Sequence, residues 1–136
     1  MAAISLVTAG RVEIVESIRQ MTLPAAEAIT AGAPVRLDTT TGKFTNANGS
    51  ASGEARVWGI ATRTVIAGEP VTVIRNGVLD GFDLSGMNYD AAVYVSDTDG
   101  RLDTAAGTVS TVVGRVIPAT STTLGTAYDK VLSVEL

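Results

Sequence analysis

The chain has 136 residues, 46% of them hydrophobic and 18% charged, so it is long and apolar enough for one folded domain with its own core. It contains no histidine and no cysteine, which excludes Ser-His triads, cysteine nucleophiles, thiolate metal sites and disulfides. The net charge is −4 and the 10 basic residues are scattered, which argues against a nucleic acid partner because phosphate binding needs a basic stripe.

Residues 1–23 stand apart from the rest of the chain, and Pro24 closes them. Residues 11–18 predict either an alternating strand or a short helix with three apolar side chains on one face: Ile14, Ile18 and Met21. Residues 2–10 are small and apolar, and they predict a first strand or an arm that folds on a neighbouring molecule. Neither a signal peptide nor a run of roughly 18 apolar residues is recognisable, so we expect a protein made in the cytoplasm with no membrane partner.

Three stretches after Pro24 pass from apolar residues into turn residues and back, which predicts β-hairpins. In the first hairpin the strands are 34–37 and 43–44 and the turn is 38–42. In the second they are 71–75 and 78–79 with the turn at 76–77, and in the third 92–95 and 101–102 with the turn at 97–100. Gly42 and Gly100 occupy the left-handed position of the first and third turns. Asn76-Gly77 is the pair that a type I′ turn prefers, because both of its central residues need positive φ.

The first and third hairpins match at a constant spacing, so that Ala33 corresponds to Ala91 and Gly42 to Gly100. Further stretches match with small gaps: 57–61 with 112–116, and 71–74 with 131–134. Two copies of such a unit would share one core. The sequence therefore predicts an all-β fold, a compact barrel or sandwich of short antiparallel strands with a weak two-fold internal repeat. The single β domain covers residues 24–136, preceded by an N-terminal arm or first strand at 1–23.

Few residues are candidates for catalysis, metal binding or ligand binding. Asp97 and Asp99 have a spacing that suits Ca²⁺, but they miss the EF-hand pattern, and an ordinary Asp-rich turn is favoured. Trp58, the single tryptophan, is either a stacking platform for a sugar or base or an anchor in a core or subunit interface, and we favour the anchor. Without a general base, a nucleophile in context or a set of metal ligands, we expect no enzyme, no catalytic residue, no metal and no cofactor.

The pattern of small residues and turns along the sequence resembles that of the small capsid decoration, or cement, proteins of tailed bacteriophages with HK97-type heads. The resemblance covers about residues 24–136. It is carried by AITAGAPVRL at 28–37, VWGIA at 57–61 and AGEPVTV at 67–73, followed by a weaker second round. These are structural patterns of strands and turns, and they contain no catalytic motif.

The resemblance implies a structural virion protein on the outer surface of the expanded capsid, made in the host bacterial cytoplasm. Its partner would be the major capsid protein, whose neighbouring subunits it clamps against internal DNA pressure. A homo-oligomer is implied, with a trimer favoured and a dimer possible. We expect the contacts with the capsid to come from the N-terminal arm, through Ile4, Leu6, Val7, Arg11, Val12 and Ile14.

A β-sandwich module for carbohydrate binding or receptor adhesion is the alternative. Sugar sites use exposed aromatic side chains beside paired polar groups, and aromatic residues make up only 4% of this chain. That shortage counts against the alternative.

Overall fold

In the computed structural model, residues 3–119 and 130–136 are described. Their regular structure consists of β-strands, without a helix. In chain order the strands are β1 (Ala3–Ile4), β2 (Glu13–Pro24), β3 (Pro34–Leu37), β4 (Phe44–Asn46), β5 (Gly59–Ala61), β6 (Pro70–Asp80), β7 (Ala92–Val95), β8 (Leu102–Asp103), β9 (Val112–Pro118) and β10 (Lys130–Glu135).

All of these strands belong to one sheet in the order β1-β8-β7-β9-β10-β6-β5-β3-β4, and β2 also pairs with β6. Each named strand pairs antiparallel with its neighbours. The sheet curls into a half-barrel, which confirms the predicted all-β class.

The predicted repeat appears in the order of the strands. From the centre outwards the order is β6-β5-β3-β4 on one side and β10-β9-β7-β8 on the other. In the first half β3 and β4 form a hairpin, β5 pairs with β3, and β6 pairs with β5. In the second half β7 and β8 form a hairpin, β9 pairs with β7, and β10 pairs with β9. The registers agree as well, since Val35 lies opposite Gly59 in one half and Val93 opposite Gly114 in the other.

The last strand of the repeat is one residue out of the register that the sequence suggested. Ile60 lies opposite Ile74, and the corresponding Arg115 lies opposite Ser133. Ile74 therefore corresponds to Ser133, whereas the sequence match placed it against Val134. Sequence similarity favoured the other register because it aligns Val71 with Val131 and Ile74 with Val134, whereas the structural register aligns Ile74 with the polar Ser133.

Two of the three predicted hairpins are confirmed. β3 pairs with β4 and β7 pairs with β8. Gly42 and Gly100 have φ of 72° and 67°, the left-handed conformation that glycine adopts without steric cost.

The hairpin predicted at Asn76-Gly77 is wrong, because β6 continues through both residues. β6 pairs with β5 at Val73 and Ile74 and with β10 from Asn76 to Leu79, so tertiary pairing holds it extended. Gly77 has φ of 155°, and a Cβ there would lie 2.2 Å from the carbonyl oxygen of Glu16 in β2. The glycine thus allows β2 to approach β6 closely instead of turning the chain.

Buried apolar side chains form two clusters on opposite faces of the sheet. Val73 and Ile74 are neighbours in β6, and they belong to different clusters because successive side chains of a strand alternate between faces. The first cluster includes Leu79, Val113 and Leu132 from the centre of the sheet. The second cluster gathers Val35, Phe44, Val71 and their neighbours under β3, β4 and the first half of β6.

Candidate functional site

The N-terminal segment, residues 3–12, lies against the domain. β1 pairs with β8, with Ile4 opposite Leu102, and the backbone N–H of Val7 donates to the carbonyl oxygen of Gly81 at 2.8 Å. Because β1 pairs with β8, the side chain of Ile4 lies in the first core cluster, where it is 7% exposed. Ile4 therefore offers little surface to a partner in this structure, and its expected contact with the capsid stays a prediction.

The other five candidate contact residues divide into two groups. Leu6 and Val12 are half-buried and pack against the first core cluster. Val7, Arg11 and Ile14 are exposed, with 74% exposure for Val7 and 46% for Ile14. The second group lies on the surface of the N-terminal segment and at the start of β2, where a partner can reach it.

Arg11 and Glu13 form an ion pair across the end of this segment, with 2.6 Å between Nη2 and Oε1. Both side chains are more than half exposed, so the pair contributes at most about 1 kcal/mol to stability. The carboxylate of Glu13 places an opposite charge beside Arg11.

β2 extends the exposed surface beyond the predicted contact residues. It is an extended strand along β6, so of the helix and the strand predicted for residues 11–18 the strand is observed, from residue 13 onwards. Residues 13–20 are exposed on both faces of β2, whereas Met21 and Leu23 pack against the second core cluster. Val15 and Ile18 are 57% and 73% exposed. The contact set derived from the sequence did not include them.

Two of the three irregularities in the pairing of β2 with β6 explain the exposure of Val15 and Ile18. Ile14 lies opposite Leu79 and Glu16 opposite Val78, so Val15 has no opposite residue in β6. Ile18 is skipped in the same way. Such β-bulges redirect side chains and disturb the alternation of faces. The adjacent apolar residues at 14 and 15 were a sequence signal that a strictly alternating strand did not fit.

Trp58 packs as an anchor. Its side chain is half-buried and lies against the second core cluster. The guanidinium group of Arg75 lies 4.7 Å from the centre of its ring and donates through Nη1 to the Trp58 carbonyl oxygen at 3.2 Å. This cation–π contact covers one face of the ring, which a sugar would otherwise use for stacking.

The carboxylates considered for Ca²⁺ are engaged by protein donors. Asp97 accepts from the backbone N–H and the hydroxyl of Thr108, each at 2.8 Å, and Asp99 accepts from the side-chain amide of Asn48 at 3.0 Å. These bonds connect the turn after β7 to neighbouring loops. Within residues 3–119 and 130–136, no group of three or more acidic side chains could hold a metal ion.

A cleft of about 380 Å³ marks the seam between the N-terminal segment and the domain. Leu6, Gly32 and Phe82 contribute apolar surface to it, and Asp99 and Arg101 contribute charged groups. Because Leu6 bridges directly to Phe82, we assign the cleft to the packing of the N-terminal segment on the sheet.

The turn between β3 and β4 is stabilised by a carboxylate. The backbone N–H groups of Thr40 and Thr41 donate to Oδ1 of Asp38 at 2.8 and 3.2 Å, and they hold the pKa of Asp38 below its ordinary value. In the loop after β6, the hydroxyl and the backbone N–H of Ser85 lower the pKa of Asp83 in the same way.

These pKa shifts predict a loss of stability in acid. A carboxyl whose folded-state pKa is lowered stabilises the fold above its unfolded-state pKa, and this contribution disappears as the pH falls through the folded-state value. The free energy of unfolding should therefore decrease below about pH 4. In urea titrations at several pH values, Asp38→Asn should weaken this dependence while Asp83 preserves part of it. An unchanged dependence in the variant would contradict the assigned role of Asp38.

Comparisons with known proteins gave no match to a family model, to a curated protein or to a solved structure. The residues that the structure describes include no helix with the length and hydropathy needed to cross a membrane. The function is therefore argued from the residues and the surface geometry of this chain.

Proposed function

We propose that the protein is a structural virion protein that binds the outer surface of an expanded tailed-phage capsid and clamps neighbouring major capsid subunits. The observation that carries this proposal is the exposed apolar surface of the N-terminal segment and the start of β2, with Val7 at 74% and Ile14 at 46% exposure. Exposed apolar side chains grouped on one segment are typical of surfaces that bind proteins. The resemblance of residues 24–136 to decoration proteins supports the same function.

The chemistry of the chain supports a structural function. The engaged carboxylates of Asp97 and Asp99 and the lack of histidine and cysteine favour a protein without catalysis, metal or cofactor. A net charge of −4 favours a protein partner over nucleic acid. After synthesis in the host bacterial cytoplasm, the protein would become part of the outer surface of the virion.

Oligomerisation would convert weak contacts into firm attachment. When linked copies face a repeating lattice, every contact after the first is intramolecular, and avidity can exceed the affinity of a single copy by about 10² to 10⁴. The resemblance implies a trimer first and a dimer as the alternative. Either oligomer would connect neighbouring capsid subunits.

Co-sedimentation with the capsids of the encoding phage tests this function. Compact and expanded capsids are stripped of their surface proteins and mixed with the purified chain. We expect saturable binding to expanded capsids at a fixed ratio to the major capsid protein, with increased resistance of the capsids to heat. Binding to neither form would overturn the proposal and favour the alternative, a carbohydrate-binding or adhesion module, which is then tested by glycan quenching of Trp58 fluorescence.

Val7→Asp is expected to weaken capsid binding by about tenfold or more, because burying one apolar side chain of this size contributes about 1.5 kcal/mol or more. The exposed side chain can be replaced without disturbing the core. Truncation of the segment is a poorer test, since it also removes the buried Ile4. Ile66→Asp is the matched control, because Ile66 is 67% exposed in the turn before β6. Equal binding by both variants would exclude Val7 from the contact.

A further inference from the structure

The middle of β2 has the features of an unoccupied protein interface. Residues 13–20 are exposed on both faces, and the apolar side chains of Ile14, Val15 and Ile18 lie among them. Within the described part of the chain, β2 pairs with β6 alone, so its second edge has no neighbouring strand. Exposed strand edges can pair with a strand of another molecule.

This edge is only partly protected from such pairing. Proteins protect edge strands with charged side chains, proline and β-bulges, and β2 has charges at Glu13, Glu16 and Arg19 and irregularities in its ladder with β6. In β2 the two bulged positions hold Val15 and Ile18, which are 57% and 73% exposed. The bulges thus project apolar side chains outwards, where they lower the solubility of a lone copy and add apolar surface to a contact.

Two charged side chains in the middle of β2, Glu16 and Arg19, have no opposite charge among the described residues. Glu16 and Arg19 lie opposite Val78 and Asn76 of β6, and directly opposed residues of a ladder share a face of the sheet. Among the described residues, neither Glu16 nor Arg19 forms an ion pair. One strand therefore presents an acidic and a basic group on one face, each without a counter-charge.

We propose that β2 is the contact between two copies of this chain, paired antiparallel about a two-fold axis that passes between Ser17 and Ile18. In this register Glu16 of each copy lies opposite the partner's Arg19. The axis repeats this pair, so two ion pairs form together.

Other registers fit the charges less well. A parallel, in-register pair would place Glu16 against Glu16 and Arg19 against Arg19. An antiparallel pair centred on Glu16 would also oppose two carboxylates. Like charges directly opposite each other destabilise a strand pair, so self-complementarity selects the register centred between Ser17 and Ile18. The complementary charges come from the chain itself, which favours a second copy over a capsid subunit as the occupant at residues 16–19 and leaves the N-terminal segment and the start of β2 to the capsid.

Sedimentation equilibrium of the full chain without capsids tests the dimer. We expect the wild type to dimerise reversibly, and Glu16→Arg or Arg19→Glu alone to raise the dissociation constant by at least about tenfold, since each variant opposes like charges twice. The double variant Glu16→Arg/Arg19→Glu restores opposite charges, and its dissociation constant should return to within about threefold of wild type. Arg56→Glu is the control, because Arg56 is exposed in the loop between β4 and β5 and lies outside the proposed contact.

Three results would overturn the dimer. The first is a wild type that stays monomeric up to about 0.5 mM, which corresponds to a free energy of association smaller than about 5 kcal/mol. The others are a trimer whose stability does not change with Glu16→Arg, and a double variant whose dissociation constant is as high as those of the single variants. The measurement contains no capsid, so its outcome is independent of the proposed capsid function. Capsid binding by the wild type that is lost on Glu16→Arg without any dimer in solution would instead assign β2 to the lattice.

Discussion

Gly114→Ala is expected to destabilise the fold by about 4 kcal/mol, at the upper end of what single substitutions do. Gly114 lies in β9 between β7 and β10, opposite Val93 and Val134. A Cβ at this position would lie 1.9 Å from the carbonyl oxygen of Ser133. The obstacle is backbone in the centre of the sheet, so no change of rotamer relieves it, and β9 and β10 must separate.

Urea unfolding followed by tryptophan fluorescence measures this loss. Gly86→Ala is the matched control, because a Cβ there would have no neighbour within 4 Å. At such a site alanine is neutral or stabilises the fold by about 0.4 to 1 kcal/mol, because it lowers the conformational entropy of the unfolded chain. A loss below about 1 kcal/mol for Gly114→Ala would mean that β9 and β10 are not packed as described.

Phe44→Ala is expected to lower the free energy of unfolding by about 3 to 5 kcal/mol. Phe44 is fully buried and is among the largest side chains of the second core cluster. Its removal leaves a cavity under β3 and β4, and the neighbouring Val35, Ala25 and Ala33 are too small to fill it.

The same urea titration tests this second loss. Val7→Ala is the control, since Val7 is 74% exposed and its replacement should change stability by no more than about 0.5 kcal/mol. If Phe44→Ala had an equally small effect, the second cluster would contribute little to folding. A separate, earlier transition in Phe44→Ala would show that the two clusters unfold independently.

The features that could be predicted from the sequence are those with local causes. The turns at Gly42 and Gly100 follow from the chemistry of their own residues, and the repeat follows from comparing one part of the chain with another. Asn76-Gly77 has the same local signal as a hairpin, yet β5, β10 and β2 hold it extended. Only the three-dimensional pairing decides between these outcomes.

The candidate surface was predictable to a similar degree. The apolar composition near the N-terminus indicated a contact segment, and Val7, Arg11 and Ile14 are exposed there. The burial of Ile4 depends on its pairing with β8, whose residues follow about 100 positions later in the chain. The outward positions of Val15 and Ile18 depend on residues skipped in the ladder with β6. Neither composition nor periodicity predicts the register of β1 with β8 or of β2 with β6.

The central position of β10 has a consequence for biosynthesis. β10 lies between β6 and β9 and joins the two halves of the sheet. The sheet therefore cannot be completed until residues up to Glu135 have emerged from the ribosome. Until then the nascent chain carries two unfinished half-sheets with open central edges. Such edges promote misassembly during slow, non-local folding. Synthesis in large amounts would therefore make the yield of native protein depend on how quickly the last strand inserts.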